Sequence, residues 1–336
     1  MKGRVQAAGR WTEARRQWGE RVRAWIPPAL WGYALAVAGT ACLCAPYVVS
    51  KIVTREINSE SFNVVWFAFG FVITMGYLAL SGQREQMRLK RRYWGQVALL
   101  GLVNSVAMGA FFKAVELIDP VLVSFFFRLE IVTSVLAGVF LLGERLGARE
   151  LGGMILAITG AGIITYASGR LVLTGLLLVV LSAAFYTGSW LVARSCMSDG
   201  CSPTALAGFR ALGTSCFLGL YVWVLGRWQT PSLHAVLWML GGAFFGPFLA
   251  NSLNYRAIMH IGVARMSIIR NVQPLFLIPV AYLFLGTVPG LRQLAGGVVV
   301  LAGVLLVVSA RLREARPLPE PGAPKGGGGE ERPDAR

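Results

Sequence analysis

From residue 28 to residue 310 the chain alternates long apolar runs with short stretches of charge, proline or glycine. A helix crossing a bilayer needs about 20 mostly apolar residues. That length divides the chain into ten predicted spans, at 28–50, 62–81, 93–116, 120–142, 150–168, 171–193, 203–226, 232–255, 263–286 and 290–310. The turn-forming pairs Asp119-Pro120, Ser202-Pro203 and Pro289-Gly290, together with Pro231, fall between them. After Arg311 the chain becomes a Pro/Gly/charge segment that has no means of building a core. The predicted fold class is therefore an all-α polytopic membrane protein.

Composition supports lipid as the solvent. Apolar residues make up 55% of the 336 and charged residues only 14%, with a mean hydropathy of +0.60. Soluble chains carry about 25% charge, so this one has too little to cover a water-facing surface. The net charge of +16 raises the question of nucleic acid, but the basic residues gather in tails and short loops rather than along an aromatic-lined groove. No nucleic-acid partner is expected. Twenty-three Lys and Arg fall on one side of the ten spans, six on the other and three within them. The positive-inside rule then places both termini in the cytoplasm, which requires an even number of crossings.

Segment 1–27 reads as a basic cytoplasmic segment rather than a cleavable signal. Trp11, Trp18 and Trp25 recur every seven residues among arginines, as in an interfacial amphipathic helix or, equally, a disordered basic tail. The cysteines show no CxxC and no metal-ligand spacing, so no metal and no cofactor are expected. Cys42, Cys44 and Cys216 read as small packing residues.

The sequence also repeats itself at a fixed offset. Segment 113–160 aligns with 256–303 without a gap, and both copies carry Gly-x-x-x-Gly-x-Arg-x-Leu-x-Gly. The same offset pairs Gly32, Ala41 and Val49 with Gly175, Ala184 and Val192. Each half holds five predicted spans. An odd number makes the second half enter from the opposite face, giving two inverted repeats, as in many secondary carriers whose sites lie near the midplane. The domains expected are 1–27 (basic segment), 28–168 (first repeat), 171–310 (second repeat) and 311–336 (disordered tail).

The run LGERLGARELGGMILAITGAGIITY and its second copy FLGTVPGLRQLAGGVVVLAGVLLVV resemble the end of an EamA domain of the drug/metabolite transporter superfamily. The resemblance covers residues 30–310. It implies ten helices, with a central cavity lined by helices 1–4 and 6–9 and with helices 5 and 10 at the periphery. One departure is that Glu144 keeps the family's Glu after the helix-ending Gly, whereas Thr287 stands in the second copy.

Ionisable and amide side chains inside spans are costly to insert and are therefore candidates for function. Arg128 and Glu130 lie mid-span 4, about 200° apart on a helix, so each needs a partner elsewhere. Under the repeat their counterparts are Asn271 and Gln273, beside Arg270 in span 9. Pro274 predicts a helix kink, because its ring removes an N–H and leaves the Arg270 carbonyl free. Pro46, Pro247 and Pro279 invite similar kinks. Arg210, Asn251 and Asn254 are further substrate-binding candidates, and Asn104 is another polar lining position; bonding between helices is the alternative for each. Gly153, Gly160, Gly296 and Gly303 read as packing faces, with a homodimer contact as one use.

No GxxxxGK[ST], HExxH or GxSxG motif is present, which argues against an ATP-driven pump or a hydrolase and leaves no catalytic residue to name. The expected function is a secondary transporter, an exporter of a small metabolite or amphiphilic compound. Glu130 is the proton-coupling candidate, since a carboxyl shielded from water can exchange protons in a useful range. Three arginines against one carboxylate favour a carboxylate-bearing substrate. An intramembrane enzyme, or a receptor or scaffold on the same fold, is the alternative.

Overall fold

The computed structural model describes residues 28–87, 91–143, 145–166, 170–198 and 201–314; the basic segment 1–27, Glu144 and the tail beyond 314 lie outside the described residues. All regular structure among the described residues is helical. Thirteen α-helices follow in order. They are α1 (Pro28–Cys42), α2 (Ala45–Val53), α3 (Ser59–Leu80), α4 (Trp94–Leu117), α5 (Pro120–Phe126), α6 (Glu130–Leu142), α7 (Ala148–Tyr166), α8 (Arg170–Ser198), α9 (Pro203–Val224), α10 (Leu233–Ala243), α11 (Asn251–Asn271), α12 (Gln273–Leu285) and α13 (Leu291–Glu314). Nine helical stretches among the described residues are long and apolar enough to cross a membrane. Large apolar side chains such as Leu80, Phe140, Trp223, Leu283 and Leu291 stand on the outer surface, where lipid rather than water stabilises them.

Local signals explain the helix ends. Asn58 and Ser232 cap α3 and α10 by accepting from Ser61 N at 2.8 Å and Ala235 N at 3.1 Å. Gly143 and Gly286 end α6 and α12 in the left-handed region, at φ 67° and 68°, where a side chain would be strained. They are equivalent positions of the repeat. At the next helix starts the correspondence continues: Glu150 accepts from Gly147 N at 2.9 Å and Gln293 from Gly290 N at 2.8 Å. Both are the return half of a capping box.

The packing exchanges the two halves. Helix α4 packs along α8, and its counterpart α11 packs along α1; α3 meets α9, and α7 meets α13. Single contacts obey the same exchange. A methyl group on Gly32 would sit 2.6 Å from Ile261, and one on Gly175 2.5 Å from Ile118. Gly153 faces Gly303 while Gly160 faces Gly296, with backbone approaches too close for any side chain. These glycines therefore join α7 to α13 within one chain, the packing role expected of them.

The expected span boundaries fail most plainly between spans 8 and 9. A loop was expected at 256–262, between spans 8 and 9. Helix α11 instead runs through it to Asn271, and the expected span 263–286 is divided between α11 and the shorter α12. The first half shows the reason. There Asp119 accepts from Val121 N at 2.7 Å and Pro120 opens α5, a cap and a helix start in adjacent residues. Gly262 and Val263 at the matching positions supply neither.

One end of the bundle is tied by polar contacts between the 54–61 and 227–235 segments. Glu56 accepts from Ser232 Oγ at 2.5 Å and bonds His234 Nδ1 at 2.6 Å. Arg227 pairs with Glu60 at 3.2 Å, and Asn58 donates to the Arg227 carbonyl at 2.8 Å. Close by, Lys113 pairs with Glu116 at 2.8 Å. Lys51 Nζ donates to the carbonyls of Val115, Glu116 and Ile118 at 2.9, 2.9 and 3.0 Å, closing the negative end of α4. The bonds from Ser232 and His234 hold the Glu56 carboxyl below the usual carboxylate range. A lowered folded-state pKa contributes stability above the unfolded value and loses it as pH falls through the folded one. Glu56→Gln should therefore lower the unfolding midpoint at neutral pH, and the gap from wild type should close below about pH 4. A gap that persisted unchanged into acid would show that the charge of Glu56 has no part in the tie.

Candidate functional site

Expected spans 1, 4 and 9 are interrupted and these interruptions meet, while span 8 departs from α-helical form as a π-helix at Phe244–Ala250. In span 1 the chain breaks at Leu43-Cys44, between α1 and α2. Pro46 has no N–H, and Tyr47 N turns to the Cys44 carbonyl at 3.2 Å, which leaves the Leu43 carbonyl without its helical donor. In span 4 a 3-10 turn at Phe127–Leu129 separates α5 from α6. In span 9 the break is Val272, followed at once by Gln273-Pro274 in the first turn of α12. Helices α6 and α12 begin at Glu130 and Gln273 and end at Leu142 and Leu285, so both breaks fall in the same register of the repeat. Interrupted helices at depth are tolerated where other groups take up the freed backbone.

Arg128 does much of that work. It is 7% exposed. Its Nε donates to the Ser124 carbonyl at 3.3 Å, one terminal nitrogen to the Arg270 carbonyl at 3.2 Å and the other to Gln273 Oε1 at 2.8 Å. The Arg270 carbonyl is the one that Pro274 leaves without its regular helical donor. Gln273, 2% exposed, in turn donates through Nε2 to the Leu43 carbonyl at 2.7 Å. A single run of hydrogen bonds thus links the breaks of spans 1, 4 and 9.

Glu130, the counterpart of Gln273, has a different setting. It is half-buried within electrostatic reach of Arg270 and Arg128, and its carboxylate makes no hydrogen bond among the described residues. Arg270 is also half-buried, with the Tyr186 hydroxyl beside its guanidinium. Under the repeat Tyr186 is the counterpart of Leu43, and Tyr47 of Trp190. The two halves therefore present equivalent positions filled differently. One is closed by Gln273 and the Leu43 carbonyl; the other offers a carboxylate and a guanidinium.

Aromatic rings surround this second position. Phe127 lies 5.6 Å from Tyr186, Tyr186 6.2 Å from Trp190, and Phe111 5.2 Å from both Phe127 and Tyr47. Thr133 and Thr187 bond at 3.0 Å between α6 and α8. No sequence signal pointed to Tyr47, Tyr186 or this threonine pair, because an aromatic or threonine in a span is ordinary packing material. Trp66 stacks on Phe62 at 5.3 Å within the buried core.

The remaining candidates scatter. Asn271 is half-buried with no side-chain bond among the described residues. Arg210 is half-buried on α9, and its guanidinium makes no bond or ion pair among the described residues. Asn254 is buried against Gly39 of α1. Asn104 donates to Thr214 Oγ1 at 2.8 Å, a bond between α4 and α9. The side chains of Asn251 and Pro247 lie outside the described residues.

Comparison with known proteins agrees with the two-repeat geometry. Residues 30–166 and again 173–309 match the EamA-like transporter family. The chain belongs to that family, within the drug/metabolite transporter superfamily. The two matched segments are related, at both their starts and their ends, by the same offset as the caps and the glycine contacts. The chain is 29% identical over 210 residues to a protein of Streptantibioticus cattleyicolor named "Probable terminal-alkyne amino-acid exporter", a match covering 57% of this chain and 65% of that one. The chain thus spans just under two thirds of that relative's length. A match to a Sinorhizobium protein named "Uncharacterized transporter in cobO 3'region" is also 29% identical, over 38% of this chain and 91% of that one. A solved crystal structure with 16% identity superposes with a TM-score of 0.59, covering 84% of this EamA-like chain and 99% of its own; it bears on the fold alone. The chain is an integral, multi-pass membrane protein of the EamA-like transporter family.

Proposed function

We propose that this EamA-like protein is a secondary carrier that exports a small amino-acid-like zwitterion, with Glu130 and Arg270 as its paired ligands. The observation that carries this is the unbonded Glu130 carboxylate beside Arg270, at the position whose counterpart in the other half is closed by Gln273. A substrate ammonium suits the carboxylate and a substrate carboxylate suits the guanidinium fork. The rings of Tyr186, Phe127 and Trp190 offer an apolar wall for the rest of the molecule. Arg128 has its donors committed, so three free arginines no longer argue for a purely anionic substrate. The Streptantibioticus relative, named for amino-acid export, supports the same class.

Ten crossings in two inverted repeats, as the repeat offset suggests, would allow alternating access between the halves. We read α11 and α12 together as supplying the ninth crossing, interrupted at Val272. The Arg311–Glu150 pair joins the end of α13 to the start of α7, as expected if both lie at the cytoplasmic surface of a bacterial inner membrane, with both termini inside. The tied 54–61 and 227–235 segments then form the outer face. Glu130 is the proton-coupling group in this reading, alternating between proton and substrate ammonium.

Counterflow in proteoliposomes across matched neutral amino acids, their decarboxylated amines and their deaminated acids tests the substrate class. Zwitterions should exchange at least tenfold faster than either analogue. With Glu130→Gln, the dependence of flux on an imposed pH gradient should disappear. Gradient-driven flux that survived this change would remove Glu130 from coupling, and product turnover without vectorial movement would favour an enzyme.

A further inference from the structure

We propose that Arg128 and Gln273 are positioning residues rather than substrate ligands: together they form a breakable latch that holds the interruptions of spans 1, 4 and 9 in one arrangement. This rests on the chain being a carrier and not on what it carries. The latch bonds are directed at backbone left over by the breaks, the carbonyls of Arg270 and Leu43. Arg128 and Gln273 are themselves 7% and 2% exposed. Both are thus spent on the helix ends that must move if the halves rock against one another. The repeat explains why such a latch is able to open. Position 130 carries Glu in the first half and position 273 carries Gln in the second. A glutamate at 273 would give Arg128 a buried ion pair, and a charge-assisted bond of that kind holds far more tightly than one to a neutral amide. The neutral amide at 273 makes this a latch rather than a clamp, while position 130 carries a carboxyl group available for chemistry.

Cys44 provides a reporter that needs no substrate. It lies in the span 1 break next to Leu43, 1% exposed, so a maleimide reaches it only when the break opens. The full chain, with Cys42, Cys196, Cys201 and Cys216 replaced by serine, is assayed in native membranes for its rate of N-ethylmaleimide reaction. Gln273→Glu should slow Cys44 alkylation at least tenfold, and Gln273→Ala should speed it at least tenfold. The exchange Arg128→Gln with Gln273→Arg, which rebuilds the bond in reverse, should return the rate to within threefold of the parent. A purely structural role would make every one of these changes faster through destabilisation. Acceleration by Gln273→Glu, or no change in either single variant, overturns the latch. If Gln273→Glu does not accumulate, Gln273→Ala and the reversed pair still decide. The substrate reading stands or falls separately, on counterflow.

Discussion

Arg311→Ala is expected to lower stability by about 3 kcal/mol, near the lower end of the ~3–5 kcal/mol that follows removal of one partner from a buried ion pair. Glu150 is fully buried at the first turn of α7, and Arg311 near the end of α13 is its charged partner. The other Glu150 oxygen caps the helix through Gly147 N. Without Arg311 the carboxylate stays buried and uncompensated, while its capping bond survives. The guanidinium is 31% exposed, so water relieves part of the penalty, which sets the estimate near the lower end. Glu150→Gln keeps the cap and removes the charge, so it should cost less. The double variant should recover most of the loss from Arg311→Ala. Unfolding midpoints in mild detergent measure all three. Additive losses in the double variant would mean the two groups are independent.

Much of this arrangement was legible because its signals are local. Glycines at matched offsets marked the repeat, and the structure turns that correspondence into equivalent left-handed caps at Gly143 and Gly286 and equivalent capped helix starts at Gly147 and Gly290. Pro274 pointed to the Arg270 carbonyl as a freed acceptor, and the structure gives that carbonyl to Arg128. Two positions apart on a helix, Arg128 and Glu130 face nearly opposite ways, so the sequence already excluded a local pair. It did not show that one would be consumed by the backbone and the other left unbonded, because that depends on which helices lie opposite. The break at Phe127–Leu129 had no proline to announce it. The missing turn at 256–262 followed from Gly262 and Val263, whose failure to cap is a negative signal among apolar residues. Lys51 closes the end of α4, a role that no spacing in the sequence announces. The glycine faces were recognised as packing surfaces, but sequence spacing does not say whether the other surface is in the same chain.

Arg270→Gln should reduce transport efficiency for a zwitterionic substrate by at least a hundredfold, with its effect mainly on apparent affinity. Two losses combine. The substrate carboxylate loses a charge-assisted bidentate partner, and Glu130 loses the nearest compensating charge in a low-dielectric setting. Every tenfold is about 1.4 kcal/mol, so a hundredfold asks for about 2.8 kcal/mol, within what removal of a buried charged partner supplies. The direction of selectivity is more telling than the size. Glu130 remains, so decarboxylated amines should lose far less than their parent amino acids, and their ratio should move towards the amines by at least tenfold. Arg270→Lys keeps the charge without the planar fork and should fall between the two. Glu130→Gln should shift the ratio the other way, towards the deaminated acids. Unfolding midpoints of the variants separate these effects from collapse of the fold. If Arg270→Gln lowered flux of amine, acid and amino acid by the same factor, Arg270 would be a structural group and the zwitterion site would have to lie elsewhere.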